Sequence, residues 1–275
     1  MAEKDNSTAQ IEREKWNAFG NVSVIDGVDP EAGEFKIFPS PDLNVGYEGL
    51  DQILPYDGLR NTVHRSHWSK TGKLSGRTED DDNLPRPVGF ESSLERSTAI
   101  SCLIHPNTWG LKCQPLKVIF DKPIDEVKSN TLDFLLTRKD GSKTYMFVRN
   151  EDSLGHPRTA LICEAIREKL PTGVGFAQIS EAAYPAPERG NLERKLIAKR
   201  VPDAEADQRL AEVLQDLRNS DCFTVEELVV RCRMGPRLAD DGRAFDAVLR
   251  AIADRKLAAS RFETTDYPTI LRWPE

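Results

Sequence analysis

Glu95 and Asp133 are the pair whose types and settings could do chemistry in this chain of 275 residues. Glu95 lies in Phe90-Glu91-Ser92-Ser93-Leu94-Glu95-Arg96, and Asp133 in Thr131-Leu132-Asp133-Phe134-Leu135. A third segment, Phe147-Val148-Arg149, follows. Hydrolysing a phosphodiester with a hard divalent ion needs oxygen ligands around an octahedral centre. One or two carboxylates usually serve, with water and phosphate completing the shell. A glutamate from a helix and an aspartate from a strand could supply them. A glutamate alone is more often part of a solvated helix face. Asp133 is harder to explain in that way, because a carboxylate placed mid-strand among apolar neighbours costs desolvation free energy. Something must pair with it, such as a metal or Arg149.

The elements that must position these residues follow from periodicity. Phe90, Leu94, Ile100, Leu103 and Ile104 mark a helix over residues 90–104, ended by His105-Pro106, with Glu91 and Glu95 on one face. Leu116–Phe120, Thr131–Leu136 and Lys143–Arg149 read as strands. The last two are joined at Lys139-Asp140-Gly141 as a hairpin. That turn sets Phe147 close to opposite Asp133, with Tyr145, Phe147 and Arg149 alternating onto one face. An amphipathic helix over 159–170 and a fourth strand over 174–179 complete an α/β order with a mixed sheet.

Residues 1–85 carry many Gly, Pro, Asn and Asp breaks and read as an arm or irregular subdomain, ahead of a catalytic-type domain over 86–182. Tyr184-Pro185-Ala186-Pro187 opens a linker over 183–204. From 205 to 275 three helices are expected. The second opens at Thr224 with Glu227 completing a capping box, and a hairpin over 257–271 closes the chain. Three helices and a terminal hairpin is the order of a winged helix, with a helical dimerisation module as the plainer alternative.

Composition sets the limits. No apolar run reaches the ~20 residues needed to span a bilayer, and the N-terminus is polar, so no membrane association is expected. Five cysteines with no CxxC spacing fit reduced thiols in a cytoplasm. A net charge of −7 excludes a binder held to DNA by bulk charge. Local basic runs remain, namely Arg60, Arg65, Lys70, Lys73 and Arg77, and then Arg189 to Arg200. The first run, with Arg243, Arg250 and Arg255 near the third C-terminal helix, is the expected DNA contact surface. Asp240, Asp241, Asp246 and Asp254 lie beside those arginines and leave a protein-binding role open. His64 and His67 in the basic stretch more simply face water or phosphate than zinc.

Taken in order, Glu91-Ser92-Ser93-Leu94-Glu95, Gln114-Pro115, Asp133-Phe134-Leu135 and Asn191-Leu192 resemble the TnsA family of transposon-end endonucleases. That family belongs to the restriction-endonuclease-like PD-(D/E)xK superfamily and carries a C-terminal winged helix. The resemblance runs from about Thr62 to the C-terminus. It implies a restriction-endonuclease-like mixed sheet flanked by helices, and a subunit of a heteromeric DNA transposition machine. Such a subunit cuts the 5′ side of transposon ends in double-stranded DNA with Mg²⁺ or Mn²⁺, beside a DDE transposase and a AAA+ ATPase regulator. It further implies Glu95 and Asp133 as metal ligands and Arg149 in the place of the catalytic lysine. The chain departs from the pattern on one strand. Phe147 stands where the family has Glu or Gln, and Arg149 keeps a positive charge but cannot deprotonate to act as a base. Either the site works with altered geometry, or the nuclease fold is retained for DNA binding and assembly.

Overall fold

The computed structural model of the protein describes residues 53–59, 70–233, 235 and 238–274. The described residues divide into two compact units, one within 53–99 and 108–180, the other within 100–107 and 181–274. Most of the expected N-terminal arm, including Arg60, Arg65, His64 and His67, lies outside the described residues.

In the first unit, β1 (Gly72–Gly76) and β2 (Arg86–Phe90) form an antiparallel pair. After the start of α1 (Ser93–Ile104), the chain runs through β3 (Thr108–Ile124), β4 (Val127–Arg138) and β5 (Lys143–Val148) as an antiparallel meander. Gly141, at φ +81°, closes the β4–β5 turn where a side chain would be strained, and Asp140 Oδ1 accepts from the Ser142 N–H at 2.9 Å. The short α2 (Glu151–Leu154) and α3 (Pro157–Lys169) then cross over to β6 (Gly175–Ile179), which lies parallel to β5. A parallel neighbour cannot be reached by a tight turn, so the chain needs this helical crossover. The sheet order is β3-β4-β5-β6. Leu116, Val118, Phe120, Leu132, Tyr145 and Phe147 pack under Ile162, Cys163 and Ile166 of α3.

The second unit contains α4 (Ala186–Arg200), α5 (Ala204–Asp216), β7 (Cys222–Thr224), α6 (Val225–Cys232), α7 (Leu238–Ala253), β8 (Ala258–Ala259) and β9 (Ile270–Arg272). Its strands order as β7-β9-β8. Leu210, Val213, Phe223, Leu228, Val248, Leu257 and Leu271 form one core. Thr224 caps α6, its Oγ1 accepting from the Glu227 N–H at 3.1 Å, as the capping-box spacing predicts. Two expectations are corrected here. The segment expected as a linker over 183–204 is mostly α4, with Asn191, Leu192, Leu196 and Ala198 buried. Its prolines sit at the helix start, where a missing N–H costs nothing, and do not break it. β7, unforeseen, adds a third strand to the terminal hairpin.

The mixed α/β class is as expected. Among the described residues no helix is long and apolar enough to cross a membrane. All five cysteines are free thiols, and only Cys222 is exposed.

Candidate active site

The helix carrying Glu95 starts later than apolar periodicity suggests. Phe90 ends β2, and Ser92 caps α1: its Oγ accepts from the Glu95 N–H at 3.0 Å. Glu95 reaches back, with Oε2 accepting from the Glu91 N–H at 2.7 Å and Oε1 bonded to the Ser92 hydroxyl at 3.1 Å. This is the capping-box spacing with its return bond taken one residue earlier, at the Glu91 N–H, and it is legible in Ser92-x-x-Glu95 but hidden where the apolar stripe runs on through it. Glu91 therefore lies ahead of the helix and does not share a helix face with Glu95. Its side chain accepts instead from Gln114 Nε2 at 3.4 Å. Gln114, buried and at φ 45°, sits in a bulge where the β3–β4 register shifts between Cys113 and Leu116. That bulge accounts for the Gln114-Pro115 dipeptide inside a strand.

Asp133 stands where the sheet splits. The last β4–β5 partners are Phe134 and Met146, so Asp133 and Phe147 are the first residues past the end of that ladder. Beyond that point β5 follows β6 alone, and the Val148 N–H donates to Asp133 Oδ2 at 2.7 Å instead of to a strand carbonyl. The carboxylate, 5% exposed, thus satisfies a backbone donor that the ladder leaves behind. Arg149 supplies the counter-charge. Its Nη1 lies 3.1 Å from Asp133 Oδ2, and its guanidinium stacks 4.1 Å from the centroid of the Phe147 ring. Phe147 itself is buried in the core under α3 and offers no oxygen.

The two carboxylates are electrostatically joined. Burial, and after it the charge of Asp133, push the Glu95 carboxyl up from 4.5 to about 7, against the opposing pull of the Glu91 N–H and the Ser92 hydroxyl. Two neighbouring carboxylates demand two positive charges. Here a guanidinium on Asp133 provides one, and below about pH 7 a proton on Glu95 provides the other. The donor set does not fit the Mg²⁺ that the resemblance implies. Arg149 Nη1 occupies the approach to both Asp133 oxygens, and Glu95 spends both of its own on capping. Among the described residues no group of three or more His, Cys, Asp or Glu converges as a metal site.

A pH experiment follows with a fixed sign. Because the Glu95 pKa is raised on folding, its contribution to stability is fully present below about 4.5 and is lost as pH rises through about 7. The loss is on the order of 3 kcal/mol for a displacement of that size. Denaturant unfolding across pH 4–9 is expected to show this fall in the native protein and a flatter profile in Glu95→Gln. Identical profiles would rule out Glu95 as the titrating group.

The expected DNA-contact residues are dispersed. Lys70, Lys73 and Arg77 are exposed at and around β1, with Lys73 Nζ 4.2 Å from the Tyr56 ring and Arg77 bonded to the Asn83 carbonyl. Arg250 is corrected from a DNA contact to a core residue. It is 6% exposed, its Nε bonds Asp207 at 2.8 Å, and its Nη1 donates to the carbonyls of Ala198 and Val201. Arg243 is forked onto Asp203 and Glu205 at 2.6 and 2.7 Å, which hold its pKa above the ordinary value. Arg255 is exposed, but it follows α7 in the turn and is not on the helix. Both helix arginines are drawn inward by acids at the start of α5. On α7 Asp246 is exposed and Asp240 and Asp241 are half-buried, with Asp241 paired to Arg233 at 2.8 Å. Much of the second basic run is engaged within the chain as well: Lys195, which is buried, bonds Glu188, Lys199 bonds Asp254, and Arg194 donates to the Thr265 carbonyl, while Arg200 is exposed.

Sequence reasoning missed the role of Asn191, although it singled out the residue. Its buried amide clamps the loop before β9, Oδ1 accepting from the Thr265 N–H and Nδ2 donating to the Glu263 carbonyl, both at 2.9 Å. No protein-family model matches this chain, and no curated protein matches its sequence.

Proposed function

We propose that this chain is a TnsA-like subunit of a heteromeric DNA transposition machine whose nuclease-type centre is filled by its own arginine. It then serves in DNA binding and assembly, and does not make the 5′ cut. Several features support the nuclease-like ancestry. Helix, three antiparallel strands, helix and a parallel strand follow in the order expected of a restriction-endonuclease-like domain. Glu95 and Asp133, from different elements, are close enough to interact electrostatically. The order α5, β7, α6, α7, β8, β9 supports a winged-helix reading of the second unit. The observation that favours a silent centre over an active one is the Arg149–Asp133 pair at 3.1 Å, with Phe147 in place of a ligand. The partners proposed with it are double-stranded transposon ends, a DDE transposase and a AAA+ ATPase, in the cytoplasm.

The deciding assay incubates the purified chain with supercoiled DNA and Mg²⁺ or Mn²⁺, alone and with its transposase. No nicking attributable to this chain is expected. Nicking that Asp133→Ala abolishes would overturn the silent reading and restore the endonuclease, with Arg149 stabilising charge in the transition state.

DNA binding is expected to run through the β1 face and not through α7, whose outward side is acidic. Reversing Lys70, Lys73 and Arg77 to Glu should lower the slope of log affinity against log salt by roughly 0.9 for each phosphate that these side chains no longer neutralise. Electrophoretic shifts across a salt series measure this. An unchanged slope would move the contact surface elsewhere.

A further inference from the structure

The second unit holds a cleft of about 580 Å³ whose composition differs from that of the carboxylate site. This lies within the roughly 300–1,000 Å³ typical of small-molecule pockets. Leu192, Ile252 and Leu257 line it with buried apolar surface, and Tyr184 adds a half-buried ring. Into the same space come Lys195 and Thr265, 7% and 1% exposed, and the exposed Arg255 and Arg261. The one carboxylate in the lining, Glu188, is already engaged by Lys195 Nζ at 2.9 Å, so the cleft carries net positive charge.

Two details set this cleft apart from a chance concavity. Thr265 Oγ1 is fully buried and has no hydrogen-bond partner, an arrangement that costs free energy unless something fills it. Its own backbone is held in place, the Thr265 N–H and carbonyl being tied to Asn191 and Arg194. The second detail is Arg255. The Arg255 N–H donates to the Ile252 carbonyl at 3.1 Å and the Lys256 N–H to the Ala251 carbonyl at 2.9 Å. That is the Schellman closure of α7, with Arg255 at its left-handed position at φ 61°. Glycine is preferred there because a Cβ is strained, yet the chain places a guanidinium at the cleft.

We propose that this cleft binds a nucleoside phosphate. Arg255 and Arg261 take the phosphate oxygens in charge-assisted, forked hydrogen bonds. The Thr265 hydroxyl and the Lys195 ammonium meet polar atoms deeper in, and the base lies on the apolar surface beside Tyr184. An inorganic anion would leave that apolar surface unused, and an uncharged nucleoside would leave the guanidiniums unmet. The inference does not depend on how Glu95 and Asp133 are read.

Calorimetric titration of the full chain at physiological ionic strength tests it, with ADP, AMP, adenosine and inorganic phosphate as probes. ADP and AMP are expected to bind saturably at one site per chain, with adenosine and phosphate weaker by about tenfold or more. Competition of bound ADP by a 5′-phosphorylated dinucleotide would identify a strand end as the natural source, and its failure a free nucleotide. Arg255→Gly supplies the discriminating variant. It relieves the left-handed backbone and should raise the melting temperature, while weakening ADP by about tenfold or more. Thr265→Val should weaken ADP with the melting temperature maintained. Absence of saturable AMP and ADP binding, equal affinity for phosphate and ADP, or unchanged ADP affinity in Arg255→Gly would each overturn the proposal.

Discussion

Phe147→Glu combined with Arg149→Lys is expected to create a divalent-metal site in a protein that otherwise has little affinity for one. The glutamate adds a hard oxygen near Asp133, on the residue just before Val148, whose N–H already reaches that carboxylate. The lysine withdraws the guanidinium fork from Asp133 and leaves a compact ammonium that can move aside. Mn²⁺ affinity should rise by roughly 10–100-fold, the scale on which neighbouring groups tune a metal site. Calorimetry or Mn²⁺ paramagnetic relaxation measures it, and plasmid nicking reports whether hydrolysis follows. Each single variant should do less. Phe147→Glu alone adds a third acid beside an occupied Asp133, and Arg149→Lys alone leaves the shell one ligand short. Phe147 also packs under α3 and against Phe176, with ring centroids 6.4 Å apart, so the double variant should lose stability. Metal should restore part of that loss, because a ligand that binds only the folded state stabilises it. Equal Mn²⁺ affinity in the native and double-variant proteins would show that Arg149 does not exclude the ion.

Asp133→Ala is expected to destabilise the first unit by about 3 kcal/mol, because it strands the buried Val148 N–H and the half-buried Arg149 guanidinium. An orphaned buried donor costs roughly 1–3 kcal/mol, and breaking a buried ion pair about 3–5 kcal/mol. The 32% exposure of the Arg149 side chain places the sum near the lower figures. Asp133→Asn keeps an acceptor for Val148 and should cost about 1 kcal/mol. Thermal or urea unfolding distinguishes this from a centre poised for metal. There, deleting one of two repelling carboxylates would stabilise the metal-free protein, so a neutral or stabilising Asp133→Ala would remove Arg149 as the internal counter-ion.

Local pattern and caps are open to sequence reading. The mixed α/β order, the β4–β5 hairpin at Asp140-Gly141, the amphipathic α3 and the Thr224 capping box depend on neighbours a few residues apart. Where sequence and structure part, the signal is local too, and a stronger neighbouring pattern masks it. Pro185 and Pro187 look like helix breakers but stand where a helix begins, and Ser92-x-x-Glu95 is overlaid by an apolar stripe.

The sequence by itself determined which chemistry was available: two carboxylates, an arginine and a phenylalanine on neighbouring elements. Only the tertiary structure decided how those charges were spent, because pairing depends on which partner lies within a few ångströms across distant parts of the chain. Asp133 has no strand partner past Met146, so its carboxylate turns to Val148 and Arg149. Arg243 and Arg250, basic residues of an expected DNA-reading helix, are bound by Asp203, Glu205 and Asp207 some forty residues away. Composition counts such charges equally, whereas burial and Coulomb attraction draw Arg149, Arg243 and Arg250 onto carboxylates of their own chain.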